Sequence, residues 1–220
     1  MTEDAGRCSE LMTLRGLSTL LYEMGRTFDN LSSTRLATEE FLRTNNPKVL
    51  GSRNDFTLLS DLKDAANYAL THARHAIDFA YLCGINAQMT RTAAIEPGKI
   101  RTSSNIVVHT ALGDYVPPVP KEQELSRVIH LALAESDPRK AASTVFVTIA
   151  RSQPFGDGNK RSALLLANGL LLHRGYPGML SVPVEDAGRQ EFNAKLSAWY
   201  LQGDKAIIAW LSAWNQHRGR

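Results

Sequence analysis

Cysteine is scarce in this 220-residue chain: Cys8 and Cys83 stand far apart and match neither a CxxC pair nor zinc-ligand spacing. Both read as reduced thiols, and neither a disulfide framework nor a structural zinc organises the fold. No apolar run approaches the ~18 residues that a membrane-spanning helix requires. The N-terminus opens on Thr2, Glu3 and Asp4 rather than on a charged-then-apolar leader. The expected location is the cytoplasm, without a membrane partner. Charge of one sign is scarce too. With 25 basic and 22 acidic residues the net charge is +3, and no Lys/Arg cluster gives a strong nucleic-acid signal. Only one stretch, residues 97–120, reads as β-structure, and no internal repeat or low-complexity segment occurs.

What remains is helical periodicity. Leu11, Leu14, Leu17, Leu20, Leu21, Met24 and Phe28 recur at spacings of three and four, which predicts a helix over residues 10–28. A short helix follows at 37–44, stopped by Asn45-Asn46-Pro47. Residues 60–83 are rich in alanine and read as one long buried helix, broken by Gly84, with a short helix at 85–91. The 97–120 stretch combines turn signals, the β-branched run Ile106-Val107-Val108 and closing prolines, which reads as a hairpin. Further helices are expected at 121–135, 137–151 (Asp137-Pro138 as N-cap and first helical residue), 159–174, 186–200 and 204–214. The expected fold class is all-α, a compact helical bundle with one short hairpin.

Between two of these helices stands SQPFGDGNKR, Ser152 to Arg161. Gly156 and Gly158 let the backbone approach a ligand closely. The turn opens into a helix N-terminus, where free N–H groups and the dipole favour an anion. Lys160 and Arg161 add positive charge. Asp157 is the lone carboxylate, and one carboxylate beside phosphate oxygens is how Mg²⁺ is commonly held. Asn159 carries an amide donor, and Phe155 is an apolar plug. The loop is neither a GxxxxGK[ST] phosphate loop nor an EF-hand, and an ordinary glycine turn between helices remains an alternative reading. Other candidates are weaker. His72 and His75 share a helix face without a third ligand, His109 falls in the hairpin, and Trp210 and Trp214 read as core.

The loop resembles the Fic/Doc family signature, HPFxDGN[GK]R between two helices, at every position except the first. The flanks IEPGKIRTSSNIVV, YVPPVP and LLLANGLLLHRGYP are similar to the family's text around it, and the resemblance runs roughly from Asn30 to Trp214. It implies residues 60–217 as a Fic core and 1–59 as an N-terminal helical extension. It also implies ATP and Mg²⁺ as cofactors, and AMP transfer to a hydroxyl of a target protein. Residue by residue, Gln153 takes the place of the general-base histidine and Asp157 is the metal ligand. Gly156, Gly158, Asn159, Lys160 and Arg161 are the phosphate cradle. Thr102, Ser103, Ile106 and Val107 belong to the flap (101–115) that clamps the target by strand addition.

Three departures matter. Glutamine has no titratable lone pair near neutral pH, so the resemblance implies a Fic protein of weak or lost transfer activity that keeps ATP–Mg²⁺ binding. Lys160 and Leu164 stand where adenylylating members have Gly and often a second Arg, as in the Doc-like branch, where a phosphotransferase toxin is the alternative. An ATP-responsive pseudoenzyme acting as a binding module is the other. The inhibitory helix [ST]xxxE[GN] of many members has no clean counterpart. Asp29-Asn30 is a candidate remnant, and Thr19 to Glu23 has the spacing but is followed by Met24. Self-inhibition or an antitoxin is the expected regulation.

Overall fold

The structure is a computed structural model that describes residues 9–92 and 96–218, with side chains to residue 216. Cys8, the Thr2-Glu3-Asp4 start and Ile95 of the family-like flank lie outside the described residues. The described chain forms α1 (Leu14–Phe28), α2 (Arg35–Thr44), α3 (Arg53–His72), α4 (Phe79–Ala87), β1 (Val108–Thr110), β2 (Gly113–Tyr115), α5 (Glu122–Ala134), α6 (Pro138–Ser152), α7 (Asn159–His173), α8 (Asp186–Gln202) and α9 (Ala206–Arg218), with 3-10 turns at Glu10–Met12 and Pro47–Val49. It is all-α with one antiparallel hairpin, in which Val108 faces Tyr115 and Thr110 faces Gly113. Among the described residues, no helix is long and apolar enough to cross a membrane.

The centre is the pair α6 and α7. α7 is buried on every side: each residue from Arg161 to Leu171 is buried, and the polar Arg161, Ser162 and Asn168 among them have hydrogen-bond partners. α6 packs on it, and its Ala142, Val145, Phe146 and Ile149 are buried. α3 and α4 cover one flank of α7, and α5, α8 and α9 surround α6. Phe146, Phe192 and Phe28 meet between α6, α8 and the end of α1, and Trp199 Nε1 donates to Val147 O.

The helix starts are set by local side chains. Thr13, Thr34, Ser52, Asp78 and Asp137 each accept a backbone N–H as N-caps of α1, α2, α3, α4 and α6. Asn45 closes α2 in the left-handed conformation, as its sequence suggests. Two elements depart from expectation. The short helix expected at 85–91 is the end of α4, which stops at Ala87. The single helix expected over 60–83 is two, because α3 starts earlier, at Arg53, and ends at His72, and Asp78 caps a new helix. Gly84 lies inside α4 and breaks nothing. Its missing Cβ admits Tyr68, whose hydroxyl oxygen would sit 2.1 Å from such an atom. The expected division between residues 59 and 60 falls within α3.

Candidate functional site

α6 ends at Gln153, a non-glycine residue in the left-handed region (φ 44°, ψ 59°). That turn sends the chain through Phe155, which is fully buried, and out to Gly156 and Asp157, which are exposed. Gly158 (φ 74°) then starts α7, and among the described residues no side chain caps its first amides. Glycine is required there on two counts. The conformation is left-handed, and a Cβ would meet Met89 Sδ at 2.9 Å and Asn86 Nδ2 at 3.0 Å.

Three side chains hold the loop. Asn159 accepts from Phe155 N through Oδ1, and its Nδ2 donates to Phe155 O and to Gln153 Oε1 at 2.9 and 3.0 Å. Both amide hydrogens of Asn159 are therefore used inside the loop. Its side chain is a clasp, where the sequence suggested a phosphate donor. Gln153 Nε2 donates to Ala150 O at 2.6 Å, so the glutamine amide is tied at both ends and is buried. Asn86, from α4, donates to Asp157 O and Ser162 Oγ, each at 3.0 Å, and accepts from Gly98 N at 2.8 Å.

The charged residues form one chain of contacts. Arg161 is 4% exposed; Nη2 donates to Asp157 Oδ2 at 3.1 Å, Nη1 to Thr92 Oγ1 at 2.8 Å, and Nε lies 3.5 Å from Asp29 Oδ1. Thr92 is in turn fixed by the wholly buried Asp61, which takes hydrogen bonds from Thr92 N, Thr92 Oγ1, Arg91 N and Arg91 Nη1. The Asp157 carboxylate accepts from Gly158 N and is 52% exposed, so it keeps an open face toward solvent. Lys160 lies over the Phe28 ring at 5.2 Å, and burial pulls its pKa below the ordinary lysine value. Burial pushes the Asp29 carboxyl up, and the Arg161 charge offsets this only in part.

Residues 76–171, which include this loop, match the Fic/DOC family. The stretch is a Fic/DOC domain. Solved structures with the same fold include a Fic domain-containing signaling protein from Bacteroides thetaiotaomicron (TM-score 0.73, 20% identity, 89% of this chain and 81% of that one). They also include Fic-1 from C. elegans (TM-score 0.68, 21% identity), where the alignment covers 92% of this chain and 61% of the other, less than two thirds of that length. Among curated proteins none matches.

The Fic/DOC loop is joined to the hairpin by one residue that the sequence reading did not single out. Arg101 is buried and, among the described residues, has no carboxylate partner. Its N–H donates to Pro154 O at 2.9 Å and its Nε to Gln153 O at 2.7 Å, while its Nη groups reach the carbonyls of Ser103 and Pro118. Burial holds its pKa below the usual arginine range. The expected flap residues Thr102, Ser103, Ile106 and Val107 precede β1 and have no ladder pairing, because the pairing starts only at Val108. Thr102, Ser103 and Val107 are exposed and Ile106 is half-buried.

The two candidate inhibitory residues part company. Asn30 is exposed in the left-handed region (φ 56°), and Leu31 N bonds Gly25 O, so its place is the helix stop after α1. Asp29 alone reaches the loop. Asp55 anchors the following turn, taking four hydrogen bonds from Ser32 and Ser33. Asn86, Asp61, Thr92, Arg101 and Asp55 all act across the fold and carry no local signature.

Proposed function

We propose that loop 153–161 binds Mg²⁺-complexed ATP, and that this Fic/DOC protein retains little or no AMP transfer to a target hydroxyl because Gln153 stands where the family has its histidine. The carrying observation is the Gln153 amide. It is buried, donates to Ala150 O and accepts from Asn159, and it offers no group that titrates near neutral pH. Losing a positioned general base lowers a rate by roughly 10²–10⁴-fold.

The residues present suit the cofactors. The uncapped α7 N-terminus and the Gly156–Gly158 turn favour phosphate. The half-exposed Asp157 can supply the one carboxylate that Mg²⁺ takes beside phosphate oxygens. When bound, ATP supplies the group to be transferred and the metal screens its charge. Arg161 is the cation at the helix start, but Asp29 already shares it, so Asp29 acts as a self-inhibitory contact. The exposed hairpin is the edge along which a target protein lies. Leu164, where a second phosphate-binding arginine stands in many members, is wholly buried in α7, so that position offers no charge to the terminal phosphate.

The test is incubation of a partner protein and the chain with labelled ATP, native and Gln153→His, read by mass spectrometry. The expected result is negligible transfer by the native chain and a gain of roughly 10²–10⁴-fold in the variant, as added AMP. Added phosphate would select the Doc-like reading. Robust and equal turnover by both proteins would overturn the proposal.

A further inference from the structure

Next to the head of the loop, on the hairpin side, a cleft of about 220 Å³ opens between α5, α6 and the segment that follows β2. Its walls include Tyr115, Pro118, Val119, Lys121, Arg151 and Ser152. Arg151, two residues before Gln153, is held there in an unusual way. Its guanidinium lies over the Tyr115 ring at 5.5 Å and the Trp199 ring at 5.1 Å, and Nε donates to Tyr200 O at 3.1 Å. Tyr115 and Tyr200 themselves meet at 5.3 Å. These contacts fix the plane of the group and leave its charge unanswered, since none involves a carboxylate. The other charges on the cleft, Lys121 and Glu124, pair at 3.2 Å and cancel. The cleft therefore carries one net positive charge on a pre-oriented fork.

What surrounds it is apolar and open. Val116 and Val119 at the rim are 56% and 40% exposed, and Val107 and Leu112 on the hairpin are 45% and 54% exposed. We propose that this cleft is a subsite for the carboxylate side chain of a protein segment lying along the hairpin. The acid pairs with Arg151, and apolar neighbours on the same face of the segment cover Val116 and Val119. The occupant follows from size and charge. The volume is below the roughly 300–1,000 Å³ of small-molecule pockets and suits a single side chain. A planar guanidinium with its Nη edge free matches a carboxylate through two parallel hydrogen bonds. A carboxylate only accepts, so it needs donors; Ser152 Oγ already donates to Thr148 O and Lys121 is paired with Glu124, so the charged donor on offer is Arg151. The proposal rests on the reading of the hairpin as the target-docking edge, and gives that edge a preference: an acidic residue flanked at alternate positions by branched apolar ones.

An array of extended dodecapeptides, with every residue type scanned through each position, tests this on the full chain, with Arg151→Met and Arg151→Lys alongside. The native chain should enrich Asp and Glu at one position, and Arg151→Met should lose that enrichment while Arg151→Lys keeps part of it. In a selected peptide, replacing the acid by its amide should weaken binding to the native chain about tenfold and leave binding to Arg151→Met unchanged. The peptide substitution keeps the test valid if Arg151→Met misfolds. Peptides bound without acid preference, or with the same preference in folded Arg151→Met, would overturn the subsite and leave the hairpin reading standing. No peptide bound by the native chain would overturn the hairpin reading and the subsite together.

Discussion

Asp29 Oδ1 lies 3.5 Å from Arg161 Nε, so the residue that ends α1 shares the cation that begins α7. The buried guanidinium is thereby divided between Asp29, Asp157 and Thr92. If phosphate is to use Arg161, Asp29 competes with it. Replacing Asp29 by Asn should tighten ATP–Mg²⁺ binding about three- to tenfold. Isothermal titration calorimetry of the two proteins reads this directly, and an unchanged affinity counts against Asp29 as a brake.

Two aspartates should shape the acid stability of the protein in opposite directions. Asp29 is held above its ordinary value of 3.8 by burial. Its contribution to stability is fully present below 3.8 and is lost as the pH rises through the folded value. For Asp55, burial alone would raise the pKa, but the hydrogen bonds from Ser33 and Ser32 prevail and hold it below 3.8. Its contribution is present above 3.8 and is lost as the pH falls through the folded value. Urea unfolding followed from about pH 2 to pH 6 should show Asp29→Asn removing the loss on the rising side. Asp55→Asn should flatten the acid-side fall, less stable than the native chain above it and converging with it at the lowest pH.

Gly158→Ala should be costly for its size. A left-handed alanine costs about 1–2 kcal/mol in backbone strain alone. The added Cβ would press on Met89 and Asn86, the second of which holds Asp157 O. Denaturant melts should show a loss of at least that size, together with weakened ATP–Mg²⁺ binding. A variant as stable as the native chain would mean that the loop conformation is softer than its geometry.

Tyr200→Phe should cost nothing or stabilise the fold. The Tyr200 hydroxyl is buried and makes no full hydrogen bond, although the Gln153 amide stands beside it. Its pKa is pushed well above the usual tyrosine value by burial, with the nearby Gln153 amide pulling the other way. Leaving such a group unsatisfied costs about 1–3 kcal/mol, so removing it should raise the midpoint of thermal unfolding slightly. A loss of more than about 1 kcal/mol would show that the hydroxyl is satisfied in solution.

Arg101→Lys should release the hairpin without unfolding the core. A point charge with three donors cannot reproduce a planar fork that reaches carbonyls on both legs of the hairpin and on the loop head. Amide hydrogen exchange should rise across residues 102–116 while α6 and α7 keep their protection. Unchanged exchange in the hairpin would show that its own pairing suffices.

The elements most legible in the sequence are those whose ends are set by neighbours in the chain. Asn45-Asn46-Pro47 stops α2, and Asp137-Pro138 starts α6, through hydrogen bonds spanning two to four residues. The loop was legible for the same reason, since its glycines, Asp157 and Arg161 stand within six residues. The α3–α4 break was not. Alanine-rich text continues through it, and besides the local cap at Asp78 the break is held by tertiary contacts, with His173 Nδ1 on Ala73 O and Tyr68 over Gly84. Asn86, Asp61 and Arg101 were missed because each bonds a partner at least 12 residues away, and a lone polar residue gives no sign of which distant group it will meet. Asn159 was read by type as a ligand donor, and folding commits its amide to Gln153 and Phe155.

The grip of Arg101 has a mechanical side. The same rigid group holds the rising leg at Ser103, the returning leg at Pro118 and the carbonyl of Gln153, while the far end at Gly113 has nothing within 4 Å of where a side chain would begin. The hairpin is held at Arg101 and again at Tyr115, which meets Tyr200 and Arg151, so only its tip around Gly113 is free. A load on that tip would be shared between the backbone of Gln153, through Arg101, and the Tyr115–Tyr200 contact.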